Sequence, residues 1–149
     1  MWRLVRPAHS PGLDGEGARL WGGRWNRVGV PMVYTASSLA LAALEYFVNM
    51  EPEMRRKGKL PNLIAVAARL SPGSVATFDM ATLRRGYGIP DNQAAGDAWS
   101  LAQTSLGLAV PSHVIPRENN ILVNPRHPDM AQAVIEIAED FAFDDRLGL

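Results

Sequence analysis

The segment from Gly22 to Glu45, GGRWNRVGVPMVYTASSLALAALE, constrains the fold more than any other part of the chain. A turn at Gly29 precedes the apolar run VPMVYT, which predicts a strand that ends near Tyr34. Ser37 and Ser38 stand just before LALAALEYFVN, a run of good helix formers, and a serine hydroxyl can cap the first amide groups of that helix. The segment is therefore predicted to form a strand, a short turn and a helix.

Glu45 occupies an unusual position in the predicted helix. Leu41, Leu44 and Val48 recur at the i, i+3, i+7 spacing of one apolar face, and Glu45 lies on or beside that face. A carboxylate in apolar surroundings must find a partner or take up a proton. The spacing leaves two alternatives open: the side chain reaches water from the edge of the face, or it is a functional acid.

The composition excludes several functional classes. Because there is no cysteine, the chain can form no disulfide, no thiolate zinc site and no cysteine nucleophile. The 15 basic and 15 acidic residues balance, so an anion site must be built locally. His9 has no second ligand at metal spacing, and we predict no metal site. The sequence contains no signal-peptide pattern and no apolar run long enough to span a membrane, so we expect a soluble cytoplasmic protein.

The remaining pattern consists mostly of strands. They are predicted at Trp2 to Val5, Leu63 to Leu70 (with a helix as the alternative), Val75 to Phe78, Leu108 to Val110, Ile121 to Val123, and in alternating pieces from Ala133 to Phe143. Further short helices are predicted at 81–85 and from a cap at Asp97 to about Ser105. The charged segment 51–58 is predicted to break the preceding helix, with a solvated turn at 55–57. Trp21 and Trp25 are expected in the core. These elements indicate one compact α+β domain over residues 1–149, with mixed or antiparallel sheets.

Candidate binding residues are scattered through this pattern. Arg24 follows a glycine pair that lets the backbone approach a ligand, which is a weak phosphate signal, and Arg3 can equally be a surface charge. Ser112 follows a proline and lacks a nucleophile-elbow motif. The adjacent His113 cannot readily act as its base, because neighbours on an extended chain point in opposite directions. The residues alone indicate that arginines, an aromatic ring and a carboxylate can converge on an anionic ligand.

Several motifs, in order along the chain, resemble the RES-domain proteins, the toxin half of the RES/Xre toxin–antitoxin systems. The resemblance runs nearly end to end. It rests on WR at Trp2-Arg3, GEGARLWGGRWN from Gly15, VYTASS with Tyr34, ALE ending at Glu45, GDAW from Gly96, VPS ending at Ser112, NILVNPRHP from Asn120, and FAFDDRL from Phe141.

The resemblance implies an enzyme that degrades NAD⁺, with a fold similar to the diphtheria-type ADP-ribosyltransferase toxins. It implies that the catalytic residues are Glu45, Arg3 and Tyr34, and that NAD⁺ is bound by Arg3, Arg24, Tyr34, Ser112 and, more weakly, Asn120. Arginine forks suit the pyrophosphate, and a tyrosine ring suits the cationic nicotinamide. Glu45 would stabilise positive charge on the ribose, and Ser112 is expected to hydrogen-bond a phosphate or the carboxamide.

The resemblance leaves the acceptor of the ADP-ribose open. NAD⁺ is the expected substrate, no resident cofactor is expected, and inorganic phosphate is the expected co-substrate of a phosphorylase. Water as acceptor would define a glycohydrolase, and a protein side chain would define an ADP-ribosyltransferase. A catalytically silent nucleotide-binding module is the alternative outside the enzymes. The implied partner is an Xre-type antitoxin with a DNA-binding helix-turn-helix. We expect the chain to form a homo-oligomer and to touch neither nucleic acid nor membrane itself.

Overall fold

The computed structural model describes residues 1–56, 60–79 and 89–148 of the chain. The strands are β1 (Trp2–Val5), β2 (Val33–Ala36), β3 (Leu63–Arg69), β4 (Val75–Thr77), β5 (Gly107–Pro111), β6 (Asn119–Val123) and β7 (Val134–Phe141). The α-helices are α1 (Glu16–Trp21), α2 (Leu39–Asn49), α3 (Pro52–Arg56) and α4 (Ile89–Ala102), and 3-10 helices cover Pro7–His9, Pro128–Gln132 and Asp145–Gly148. Across these described ranges, none of the helices has the length and apolar content needed to cross a membrane.

The described strands form one seven-stranded sheet in the order β4-β5-β6-β2-β1-β3-β7. Strands β4 and β5 are parallel, and the other neighbours are antiparallel. At the centre, Tyr34 of β2 lies opposite Leu122, and Ala36 lies opposite Asn120 of β6. Directly opposed residues share one face of a sheet, so these four side chains project to the same side. The predicted α+β class, with a mixed sheet and a few short helices, is confirmed.

Helix α2 follows β2 directly and packs against β1 and β2. The predicted cap is present, because the Ser38 hydroxyl accepts a hydrogen bond from the backbone N–H of Leu41 at 3.1 Å. The predicted apolar face is only partly correct. Leu41 is buried, but Leu44 and Val48 are exposed, because the helix buries the side that carries Leu41 and Ala42.

Two predicted elements differ from the structure. Helix α4 includes residues from Ile89 onward, so Asp97 lies inside the helix, where its carboxylate accepts from the backbone N–H of Arg27 at 3.1 Å. The charged segment 51–58, predicted to break the helix and to hold a solvated turn at 55–57, contains α3, which begins at Pro52. Proline is well tolerated in the first turn of a helix, where its missing N–H is not needed, and Pro90 occupies such a position in α4. The helix predicted at 81–85 lies outside the described residues.

Helix α4 packs directly on the segment that leads to β2. A Cβ built on Gly96 would overlap the carbonyl oxygen of Trp25, so a glycine is required at this contact. Trp25 is 3% exposed, belongs to an apolar cluster with Trp99, and its ring meets Phe78 edge-on. Trp25 is therefore in the core as predicted. The same prediction is wrong for Trp21, which ends α1 and is 84% exposed.

Candidate active site

A cleft of about 490 Å³ lies over the centre of the sheet, bordered by α2 and by residues 17–25. Five of the six residues predicted from the sequence line it: Arg3, Arg24, Tyr34, Glu45 and Asn120. They come from β1, the turn before β2, β2 itself, α2 and β6. The sixth, Ser112, follows β5 and is only 1% exposed behind the cleft wall. The fold thus gathers residues that are far apart in the sequence around one space.

The Glu45 carboxylate is fixed through one of its two oxygens. Its Oε1 accepts a hydrogen bond from the Ser112 hydroxyl at 2.8 Å and another from Nδ2 of Asn120 at 2.6 Å. Its Oε2 accepts no hydrogen bond from the described part of the chain. Bonds to an ionised acceptor are roughly twice as strong as neutral ones, so Oε1 is held firmly. Of the two alternatives for Glu45, the structure favours a partnered acid, with Oε2 available to a molecule in the cleft.

Ser112 uses its whole hydrogen-bonding capacity within the protein. Its hydroxyl donates to Glu45 and accepts from the backbone N–H groups of Val114 and Ile115 at 3.1 and 2.9 Å. A serine hydroxyl has one proton and two lone pairs, so no donor or acceptor remains for a ligand. This geometry therefore favours a positioning role for Ser112 over the expected contact with a phosphate or carboxamide. Ser112 instead joins the turn after β5 to the carboxylate on α2.

Asn120 is the second residue that positions Glu45. A carboxylate oxygen can only accept, so the Asn120 amide must present its NH₂ group to Glu45. This leaves Oδ1 buried and without a hydrogen bond from the residues that the structure describes. An unpaired buried acceptor costs about 1–3 kcal/mol. A bound hydroxyl or amide N–H in the cleft would remove that cost if it reached Oδ1.

The Tyr34 hydroxyl organises the turn that forms one wall of the cleft. It donates to Oδ1 of Asn26 at 2.7 Å and accepts from the backbone N–H of Trp25 at 2.9 Å. A Cβ on Gly23 would lie 2.5 Å from the Tyr34 oxygen, so glycine lets the turn come this close. Burial raises the pKa of Tyr34 to about 12. The phenol therefore stays neutral at physiological pH, and the part of Tyr34 that remains for a ligand is its ring.

Asn26 is a buried residue that holds the cleft wall in place, a role that was not predicted from the sequence. It is fully buried, and its Nδ2 lies within hydrogen-bonding distance of the carbonyl oxygens of Ala18, Arg27 and Val30, at 2.8–3.1 Å. It links α1, the turn and the segment that leads to β2. The available signal was an amide residue directly after a tryptophan and three positions after a glycine pair, where a buried polar side chain needs several partners.

Two arginines supply positive charge to the cleft. The Nε of Arg3 is buried and has no hydrogen-bond partner among the described residues. Burial lowers the pKa of Arg3, while the nearby charge of Asp14 acts in the opposite direction. Arg24 follows the glycine pair and lines the same cleft. A guanidinium with an unused donor in a cleft is suited to bind an anion through its planar fork.

The cleft therefore combines an acid held at one oxygen, a neutral aromatic ring and two guanidinium groups. This combination can hold an anionic ligand and stabilise positive charge that develops beside Glu45. Tyr46 and Trp2 add further aromatic surface to the lining. The described residues contain no group of three or more His, Asp or Glu side chains arranged to hold a metal ion.

A family model described as the RES domain matches residues 1–144. The chain belongs to the RES domain family. The family resemblance inferred from the sequence motifs is therefore confirmed.

Two relatives match this RES domain over almost its whole length. The Prs ADP-ribosylating toxin of Sphingobium sp. (strain YBL2) is 35% identical over 157 residues, which covers 98% of this chain and 94% of the relative. The protein named Toxin Res from Photorhabdus laumondii subsp. laumondii is 31% identical over 153 residues, which covers 99% of this chain and 96% of the relative.

The third relative is known both as a sequence and as a structure. The NAD(+) phosphorylase MbcT of Mycobacterium tuberculosis (strain H37Rv) is 31% identical over 102 residues, which covers 64% of this RES domain and 53% of MbcT. The crystal structure of the M. tuberculosis MbcT–MbcA toxin–antitoxin complex superimposes with a TM-score of 0.71 at 20% identity, and covers 99% of this chain and 85% of the matched chain. The structural match shows a shared fold.

Proposed function

We propose that this RES domain is the toxin of a toxin–antitoxin system and degrades NAD⁺ by cleaving the nicotinamide–ribose bond. The observation that carries the proposal is the Glu45 carboxylate, held at Oε1 by Ser112 and Asn120 while Oε2 remains available in a cleft that also contains two arginines. Relatives named Prs ADP-ribosylating toxin and NAD(+) phosphorylase MbcT support the choice of substrate.

The proposed roles follow from the charge changes in the reaction. When the ribosyl C–N bond breaks, its electron pair leaves with nicotinamide, which becomes neutral, and positive charge develops on the ribose. Oε2 of Glu45 stabilises that charge or holds a ribose hydroxyl. Arg3 and Arg24 bind the pyrophosphate, and the Tyr34 ring packs against the nicotinamide. Ser112 and Asn120 keep the carboxylate in place.

We further propose inorganic phosphate as the acceptor, which makes the enzyme an NAD⁺ phosphorylase. A phosphate oxygen donates an electron pair to the ribosyl carbon as nicotinamide departs, and the products are free nicotinamide and ADP-ribose-1″-phosphate. The MbcT name favours this acceptor. The second candidate is transfer of ADP-ribose to a protein, which the name of the Sphingobium relative favours.

The product of an NAD⁺ incubation distinguishes the candidates. Purified protein, freed of any antitoxin, is incubated with NAD⁺ with and without phosphate, and the products are identified by mass. We expect nicotinamide release that increases with phosphate, together with ADP-ribose-1″-phosphate. ADP-ribose as the product would indicate a glycohydrolase, and a mass increase of a protein substrate would indicate an ADP-ribosyltransferase. Absence of nicotinamide release under every condition would refute the enzymatic proposal.

Glu45→Gln is the matched test of the carboxylate. The glutamine carbonyl oxygen can still accept from Ser112 and Asn120, so the fold should be kept while the negative charge is lost. We expect turnover to fall by about 10³-fold, the upper range for removing one electrostatic contribution to a transition state. Glu136→Gln, on β7 and paired with Arg69 at the surface, serves as the control and should leave turnover unchanged. An active Glu45→Gln variant would mean that Glu45 is only structural.

We also propose an antitoxin of the Xre type as the partner of this chain. The structural neighbour was crystallised as a toxin–antitoxin complex, which supports a protein partner. Co-expression with an Xre-type antitoxin should suppress NAD⁺ loss, and light scattering of the purified complex would measure whether the toxin forms a homo-oligomer within it.

A further inference from the structure

A second cleft, of about 910 Å³, adjoins the first. Its walls come from the loop that follows β1 and from α1. Both clefts are lined by Arg3, Leu4, Gly17 and Tyr46, so they meet along these residues. A molecule that occupies the first cleft can therefore extend past Arg3 into the second.

Trp21 is the residue of the second cleft that the core does not explain. It ends α1, lines this cleft and is 84% exposed. An indole is one of the largest apolar side chains and is usually well buried. It immediately precedes Gly22 and Gly23, which line the first cleft, so the end of α1 contributes residues to both clefts.

Arg3 stands at the junction of the two clefts. Its Nε is buried and has no hydrogen-bond partner among the described residues, as noted above. A guanidinium at this point can bind an anionic group that lies between two larger parts of one ligand. The aromatic surface and the arginine together therefore suit a ligand with a central anion and a flat ring at its far end.

The size of the first cleft supports the same conclusion. Ligand pockets typically range from about 300 to 1,000 Å³ for drug-sized molecules, and 490 Å³ lies in the lower half of that range. A dinucleotide consists of two nucleotides joined by a pyrophosphate and needs a second space beyond the pyrophosphate. The second cleft, which shares Arg3 with the first, provides that space.

We propose that the second cleft is an adenosine subsite in which the Trp21 indole stacks on the adenine ring. This inference rests on the proposed function, because it assigns the nicotinamide ribose to the first cleft beside Glu45 and the pyrophosphate to Arg3. Asp14 also lines the second cleft, and its carboxylate is a suitable acceptor for ribose hydroxyl groups. Adenine is uncharged, so the acidic side chains of this cleft do not oppose it.

The test compares Trp21→Ala and Trp21→Phe with the wild type in two measurements. The first is steady-state cleavage of NAD⁺. We expect Trp21→Ala to raise KM about tenfold, within the range found for loss of one base–aromatic stack, with kcat unchanged. Trp21→Phe retains a ring and should restore most of the affinity. Leu101→Ala is the control, because Leu101 is 87% exposed on α4 and lines neither cleft.

The second measurement is calorimetric titration with AMP, which requires no turnover. AMP should bind the wild type and the Leu101→Ala variant equally, and Trp21→Ala about tenfold more weakly. Nicotinamide titration should be the same in all variants, because that ring is assigned to the first cleft. Trp21 is exposed, so thermal unfolding should show that each variant remains folded.

Three outcomes would overturn the subsite. The first is that the wild type does not bind AMP. The second is that Trp21→Ala has the same AMP affinity and the same KM for NAD⁺ as the wild type. The third is a Trp21→Ala variant with unchanged KM that escapes inhibition by the antitoxin, which would make Trp21 a partner contact. If the wild type releases no nicotinamide, the proposed function fails, and the AMP titration still decides the subsite.

Discussion

Replacing Ser112 by alanine should separate a residue that positions Glu45 from one that contacts the ligand. The change removes one hydroxyl, which donates to a carboxylate and whose oxygen accepts from two backbone N–H groups. A hydrogen bond to a charged group contributes about 1.5–3 kcal/mol and a neutral one about 0.5–1.5 kcal/mol. Because such terms are not additive within one network, we expect a loss of about 3 kcal/mol in the free energy of unfolding. At this chain length that corresponds to a fall of about 6–12 °C in Tm.

The same substitution should reduce kcat more than it affects substrate binding. Glu45 keeps its bond to Asn120 but loses half of its support, and a small misplacement of a catalytic group costs up to about 100-fold in rate. We therefore expect kcat to fall by about 10–100-fold with KM for NAD⁺ nearly unchanged. The assay is steady-state nicotinamide release, measured well below the lowered Tm.

Ser105→Ala is the matched control. The Ser105 hydroxyl accepts from Nε1 of Trp99 at 2.9 Å and donates to the carbonyl oxygen of Gly107 at 2.8 Å, and it lines neither cleft. Like Ser112→Ala, this substitution removes the hydrogen bonds of one serine hydroxyl and should lower Tm, but it should leave kcat unchanged. The positioning role would be wrong if Ser112→Ala raised KM while kcat stayed at the wild-type value, because that result indicates direct contact with the ligand.

Three further substitutions test other parts of the cleft. Asn120→Asp places a second carboxylate against Glu45 and should raise the pKa of the carboxylate pair in the folded state, so the variant should lose stability as pH rises. Urea unfolding should therefore show that the variant is less destabilised, relative to the wild type, at about pH 5 than at about pH 8. Tyr34 has a folded-state pKa of about 12, above its ordinary value, so the wild type should lose stability as pH rises above about 10. Tyr34→Phe should show a shallower loss in the same titration, and an identical slope would contradict this assignment. Arg3→Met removes a partly unpaired buried charge and should raise Tm while lowering kcat/KM at least about tenfold. Pyrophosphate should raise the Tm of the wild type more than that of the variant, which keeps only Arg24.

Local patterns were sufficient to predict most strands and the central helix. β1 has the predicted bounds, and Ser38 caps α2 because a hydroxyl before a run of helix formers satisfies an otherwise unpaired N–H. α1 was not predicted, because a six-residue helix that follows Gly15 shows neither a side-chain cap nor a full apolar period. The sequence also misled at Asp97, whose carboxylate bonds to a distant backbone N–H instead of capping its own helix.

The residues of the candidate site could be named from the sequence, but their arrangement could not. Motif order identified five residues that line one cleft. Ser112 and Asn120 both donate to one oxygen of Glu45, and this arrangement depends on how β5, β6 and α2 pack together. Ser112 is 67 positions and Asn120 is 75 positions from Glu45 in the sequence. The exposure of Trp21 was likewise unpredictable, since a tryptophan beside a glycine pair is ordinarily buried.

The contact between Gly96 and Trp25 has a consequence for genetics as well as for packing. Any side chain at position 96 must push α4 away from the carbonyl of Trp25, and that residue adjoins Arg24 in the cleft wall. A substitution at Gly96 would therefore distort the wall of the cleft although residue 96 does not line that cleft. In a selection for cells that survive expression of this chain, we therefore expect substitutions at Gly96 to arise as often as substitutions at Glu45. Cells with a Gly96 substitution should contain less folded protein than cells with a Glu45 substitution.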